Sequence, residues 1–177
     1  MGIRMNDISL LDNLPNYAKD LKLNYSKIKN EEILDKKQLY GCLFIGALTS
    51  NHKEFINFIR EEVTGHLSEE EMHSVYAAYS IMNMNVIYYR FTHMAKGFDY
   101  SSMPANLRMH VMSNPGVDKL VFEMWCLSAS IILGCEKCMN AHETELKSEG
   151  VTSIQIQTIA RVSAIISAIG NVIKSQN

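Results

Sequence analysis

Strand signals are missing from this chain. No alternating apolar run is bracketed by Asn-Gly or Asp-Gly turns, and only three prolines and nine glycines interrupt 177 residues. Helix signals are frequent. Pro15 to Lys29 opens with proline at a first-turn position and carries Tyr17, Leu21 and Tyr25 at four-residue steps. Ser68 followed by Glu69, Glu70 and Glu71 reads as an N-cap with a capping box and an acidic first turn. Glu149-Gly150-Val151-Thr152 reads as a glycine stop and a new N-cap, and Asn114-Pro115-Gly116 as a turn between helical blocks. The expected fold is all-α, roughly eight helices in a single domain over residues 1–177.

The order of segments repeats. From Leu39 to Arg90 runs an apolar helix, a break near Ser50, a polar helix, a restart at Leu67-Ser68 and a long Ala- and Met-rich helix. From Leu120 to Lys174 the same order recurs, with its break at Gly134 and its restart at Gly150 to Thr152. Two similar helical halves can pack about a pseudo-twofold axis. Asn51 and His52 stand where the second half has Cys135, so chemistry is expected only in the second half, about residues 117–177.

Composition excludes some partners. A net charge of −2 offers no basic excess for phosphates, so no nucleic-acid partner is expected. The N-terminus lacks an apolar signal-peptide core, and Asn6 stands where myristoylation needs Ser or Thr. The longest charge-free run, Met72 to Tyr89, contains His73, Ser74, Ser80, Asn83 and Asn85, too polar for a bilayer. A cytoplasmic location is therefore expected. In that reducing compartment, a close cysteine pair reads as catalytic or metal-binding rather than as a structural disulfide.

Residues 134 to 143 read Gly-Cys-Glu-Lys-Cys-Met-Asn-Ala-His-Glu. On a helix beginning near Cys135, that residue, Cys138 and His142 fall on one face. The positive end of the helix dipole, with Lys137 beside it, favours a thiolate. A thiolate attacks the O–O bond of a peroxide to give a sulfenic acid, and a thiol three residues away can condense with that acid. Glu123 is the only charge between Lys119 and Glu136, among Phe122, Met124, Trp125 and Leu127, so at least partial burial is expected. Glu123 and His142 together can serve as a proton relay. Zinc remains an alternative for the two thiols, His142 and a carboxylate. Cys42 and Cys126, in apolar runs, read as inert core thiols, and Met82, Met84 and Met94 as core filling. His66, His73, His93 and His110 show no ligand spacing.

The pattern Glu123, Cys135, Cys138, His142 resembles that of the AhpD alkyl hydroperoxidases, within the carboxymuconolactone decarboxylase superfamily. The likeness extends to Leu14 through Asn24, Met82-Asn83-Met84-Asn85 through Tyr89-Arg90, Leu107-Arg108-Met109 and Asn114-Pro115-Gly116. The resemblance implies an all-helical homotrimer with no bound cofactor. It implies a peroxidatic Cys138 that passes through sulfenic acid and a Cys135 that resolves it to a Cys135–Cys138 disulfide. Glu123 and His142 would form the relay. The disulfide would be reduced by a dihydrolipoyl group on a 2-oxoacid dehydrogenase acyltransferase, recharged by dihydrolipoamide dehydrogenase and NADH. An AhpC-type peroxiredoxin would be a possible client through a mixed disulfide at Cys138. The resemblance departs at Lys137, where the family often has a histidine. An exposed lysine supplies fixed charge rather than proton exchange, so Lys137 is expected to be supportive. Two other functions compete with a thiol peroxidase: a redox adaptor that reduces a peroxiredoxin, and a metal-stabilised helical oligomer.

Overall fold

The computed structural model describes residues Ser9 to Gln176. The N-terminal residues on which the leader and myristoylation readings rest lie outside them. Among the described residues there are nine α-helical segments and no strand. They are α1 (Ser9–Asp12), α2 (Lys19–Lys29), α3 (Lys36–Ser50), α4 (Lys53–Val63), α5 (Glu69–Met94), α6 (His110–Ser113), α7 (Lys119–Leu133), α8 (Glu136–Ser148) and α9 (Ser153–Lys174).

Local chemistry sets the boundaries. The side chains of Ser68 and Thr152 accept bonds from the backbone N–H of Glu71 and Gln155, and each of those side chains bonds back to its N-cap. Asp35 and Gln38 make the same capping box on α3. Each such cap contributes about 1 kcal/mol to its helix. The Asn114-Pro115-Gly116 turn separates α6 from α7, and Gly116 takes φ +79.

The repeat is visible in three dimensions. Helices α3-α4-α5 and α7-α8-α9 match in order. At one constant offset, Asp35 pairs with Asp118, Asn51 with Gly134, His52 with Cys135 and Phe55 with Cys138. Asp35 and Asp118 both cap their helices. Asn51 and Gly134 both end them in the left-handed region, at φ 53 and φ 69. His52 and Cys135 both start the next helix by accepting a backbone N–H three residues on. The helices interlock, since α3 packs on α7 and α9 while α7 packs on α5, α8 and α9. One apolar core spans both halves.

Close approach of α3 to α7 and α9 needs glycine. A Cβ on Gly41 would lie 1.9 Å from Trp125 Nε1, and one on Gly46 would lie 2.0 Å from Ile166 Cγ2. A buried hydrogen bond of 2.8 Å joins Ser128 on α7 to Ser163 on α9. Arg161 on α9 donates two bonds, of 2.9 and 2.7 Å, to Glu31, two residues past α2. Such a bidentate pair also fixes orientation.

Two local expectations are corrected. The segment from Pro15 does not run as one helix. Asn16–Ala18 is a 3-10 turn, and Ala18 at φ −104, ψ 11 interrupts the helical geometry before Lys19. That offset takes Tyr17 off the buried stripe, and it is 78% exposed while Tyr25 is buried. Met94 is 67% exposed at the end of α5 and fills no core. Among the described residues one helix, α9, is long and apolar enough to cross a membrane; it carries Arg161 and packs on α3 and α7.

Candidate active site

The site is built where α7 ends and α8 begins. From Val121 to Ser130 every residue of α7 is buried, which forces Glu123 into the interior. At the other end, Gly134 closes the helix. Its N–H bonds Ile131, and the next N–H, from Cys135, bonds Ser130. This pair of bonds is a Schellman motif, which needs the positive φ that glycine takes without strain. The chain then turns directly into α8 with Cys135 as N-cap.

Cys135 and Cys138 are joined by a disulfide, with Cα atoms 5.3 Å apart. The backbone N–H of Cys138 also donates to Cys135 Sγ at 3.2 Å, so the sulfur caps the helix. Both sulfurs therefore sit in the positive field of the first turn of α8. Cys135 is fully buried, whereas Cys138 is 5% exposed and lines a cavity of about 210 Å³.

One turn further along α8 is His142. Its Nδ1 lies 2.6 Å from Glu123 Oε2, and the two residues are 8% and 7% exposed. A short, shielded bond between a carboxylate and an imidazole fixes the orientation of the ring. His142 lines the same cavity as Cys138. With Nδ1 committed to Glu123, Nε2 is the ring nitrogen left for that cavity. Glu123 does not line it and reaches it only through His142.

The opposite wall comes from α5, as Met82, Asn85 and Tyr89, with Ala141 and Lys137 from α8 completing it. Lys137 Nζ sits 5.2 Å from the centre of the Tyr89 ring, within cation–π range. Arg90 donates to the Leu133 carbonyl at 2.6 Å, so α5 also holds the turn that presents the cysteines. Sequence reasoning missed Met82, Asn85 and Tyr89 as site residues. No signal in the sequence sets Asn85 apart from Asn83, two positions before it.

The other two thiols lie apart. Cys42 and Cys126 are fully buried and free. Burial pushes the Cys42 thiol up to about 12. Burial, and then the charge of Glu123, hold Cys126 well above the usual thiol range. Among the described residues no three His, Cys, Asp or Glu side chains converge as a metal site. His66 instead stacks on Tyr40, and His93 pairs with Glu136 at 3.4 Å.

Residues 99–175 match the model of the carboxymuconolactone decarboxylase family. Along most of its length, the chain is 44% identical over 163 residues to the alkyl hydroperoxide reductase AhpD of Hyphomonas neptunium, covering 92% of this chain and 91% of that one. To the AhpD of Maricaulis maris it is 40% identical over 169 residues, covering 96% and 98%. To that of Azorhizobium caulinodans it is 44% identical over 160 residues, covering 90% and 88%. Identity at that level along nearly the whole of both chains places this protein in the AhpD family of carboxymuconolactone decarboxylase-like helical proteins.

Proposed function

We propose that the chain is an antioxidant thiol peroxidase that reduces hydrogen peroxide and alkyl hydroperoxides. One observation carries the reading: of the disulfide pair, Cys138 alone faces the cavity, beside a His142 that is backed by buried Glu123. The name of the relatives, alkyl hydroperoxide reductase, agrees with it.

In the reduced enzyme His142, held by Glu123, takes the proton of Cys138. The thiolate attacks the terminal oxygen of the peroxide. An S–O bond forms, the O–O bond breaks, and His142 returns its proton to the departing alkoxide or hydroxide. Cys138 becomes a sulfenic acid and the peroxide an alcohol or water. Cys135, three residues away and sealed from solvent, displaces water from it and restores the disulfide. Two electrons must then come from a dithiol. A dihydrolipoyl group on an acyltransferase, kept reduced by dihydrolipoamide dehydrogenase, is the proposed donor, and an AhpC-type peroxiredoxin a proposed client. A cytoplasmic setting suits a disulfide that must be reduced in every cycle. The proposed assembly is a homotrimer, supported by apolar Ile87, Phe91 and Met94 on the outside of α5.

Peroxide consumption with dihydrolipoamide as donor tests the reading. Cys138→Ser is expected to lose turnover entirely. Cys135→Ser is expected to stop after one oxidation, with sulfenic acid on Cys138 by mass spectrometry. A wild type that reduces a peroxiredoxin but consumes no peroxide would establish the redox-adaptor alternative. Stoichiometric zinc without peroxide consumption would overturn both.

A further inference from the structure

We propose that Asn85 binds the hydroperoxyl group over Cys138, accepting a hydrogen bond from its O–H and donating one to the oxygen that leaves. The inference rests on the peroxidase reading. Asn85 is only 6% exposed, on the face of α5 that carries Met82 and Val86 into the core, and it lines the Cys138 and His142 cavity. Its Oδ1 is buried without a hydrogen-bond partner.

Other polar side chains of α5 have hydrogen-bond partners. Asn83 donates to the Tyr79 carbonyl at 2.7 Å, Ser74 to Glu70 and Pro115, and Thr92 to Tyr89. The other buried atoms without hydrogen bonds have different settings. Glu62 and Arg161 are held in ion pairs with Lys29 and Glu31, and the indole of Trp125 is enclosed by the core. Asn85 alone among them faces a cavity with a reactive cysteine. A buried polar group without a partner is costly, so the residue suits a ligand that supplies the missing bond.

A carboxamide presents an acceptor and a donor side by side. A hydroperoxide presents the complement, a terminal O–H and a second oxygen that becomes negative as the O–O bond breaks. The Asn85 N–H groups then stabilise charge that develops only in the transition state. Atoms balance as above: sulfur gains the terminal oxygen, and the leaving oxygen takes the proton held by His142. The apolar remainder of the wall, Met82 and Ala141, is left for the alkyl group.

The test separates peroxide recognition from thiolate formation. In a Cys135→Ser background, the rate of Cys138 oxidation by tert-butyl hydroperoxide is divided by its rate of alkylation by iodoacetamide at the same pH. Asn85→Leu keeps the volume and removes both polar atoms. It is expected to lower this ratio at least about tenfold, a floor set beneath the roughly hundred- to thousandfold that loss of one such donor costs an enzyme. A smaller fall overturns the proposal. Asn85→Ala serves as the second variant should the leucine disturb folding, with the same expected fall. A general loss of structure lowers both rates, and a lost proton relay lowers alkylation too, so neither mimics the result. If the Asn85 control itself is not oxidised by peroxide, the peroxidase reading fails and this inference with it.

Discussion

Lys137 stands next to Cys138 and over the face of Tyr89. Its side chain is placed to supply field rather than proton transfer. A partly solvated charge pair such as Lys137 and a Cys138 thiolate contributes up to about 1 kcal/mol, which converts to a rate effect of up to about fivefold. Lys137→Ala is expected to slow peroxide turnover by that factor with circular dichroism unchanged; complete loss of turnover in a folded variant would instead make Lys137 part of the relay. The contrast with Glu123 is one of burial, because its carboxylate is only 7% exposed and is bonded to His142 at 2.6 Å. That grouping was legible in the sequence. Three residues spaced along one helix must share a face, and a lone glutamate in an apolar helix must go inside. Asn85 was not legible. It is one of two asparagines two positions apart on α5, and only packing against α8 decides that Asn85 faces inward while Asn83 bonds its own helix.

The two halves end their first helices in the same way but with different residues. Gly134 at φ 69 would have nothing within 4 Å of an added Cβ, so the only cost of a side chain there is conformational. Gly134→Ala is therefore expected to destabilise the fold by about 1–2 kcal/mol, the cost of a left-handed L-residue. Asn51 already bears that conformation at φ 53. Asn51→Gly is expected to change stability little, because relief of strain is offset by the greater freedom of glycine in the unfolded chain. Urea midpoints at constant m-value measure both; equal effects at the two turns would remove the conformational explanation. Both turns and the caps at Ser68 and Thr152 were readable, since each depends on chemistry within four residues. The 3-10 start at Asn16–Ala18 was not, because nothing in Pro15-Asn16-Tyr17 distinguishes a 3-10 turn from the first turn of α2. The interlock of the halves rests on Gly41 and Gly46, whose role is visible only once Trp125 and Ile166 lie against them.

For the molecule as a whole, α5 is the element that links the cavity to the proposed subunit contact. Its inner face lines the cavity with Met82, Asn85 and Tyr89, while Ile87, Phe91 and Met94 on the same helix are 70%, 51% and 67% exposed. Phe98, beyond the end of α5, is 71% exposed and stacks edge-on with Tyr100. Adjacent large apolar side chains left outside a monomer mark an interaction surface. The trimer proposal fits this surface, since packing a neighbouring subunit there would bury it and also stiffen one wall of the cavity. Phe91→Glu places a charge in the middle of the stripe without touching the core. Burying an unpaired carboxylate is costly enough to disfavour assembly at micromolar concentration. Light scattering coupled to size exclusion is expected to report three chains for the wild type and one for Phe91→Glu, with the helical circular dichroism of α5 retained. Peroxide turnover is expected to fall in the dissociated variant, because the wall bearing Asn85 and Tyr89 loses its outer support. A wild type that runs as a single chain would reassign the stripe to another partner. A Phe91→Glu protein that stays trimeric would move the subunit contact off α5, and would leave the cavity geometry a property of one chain alone.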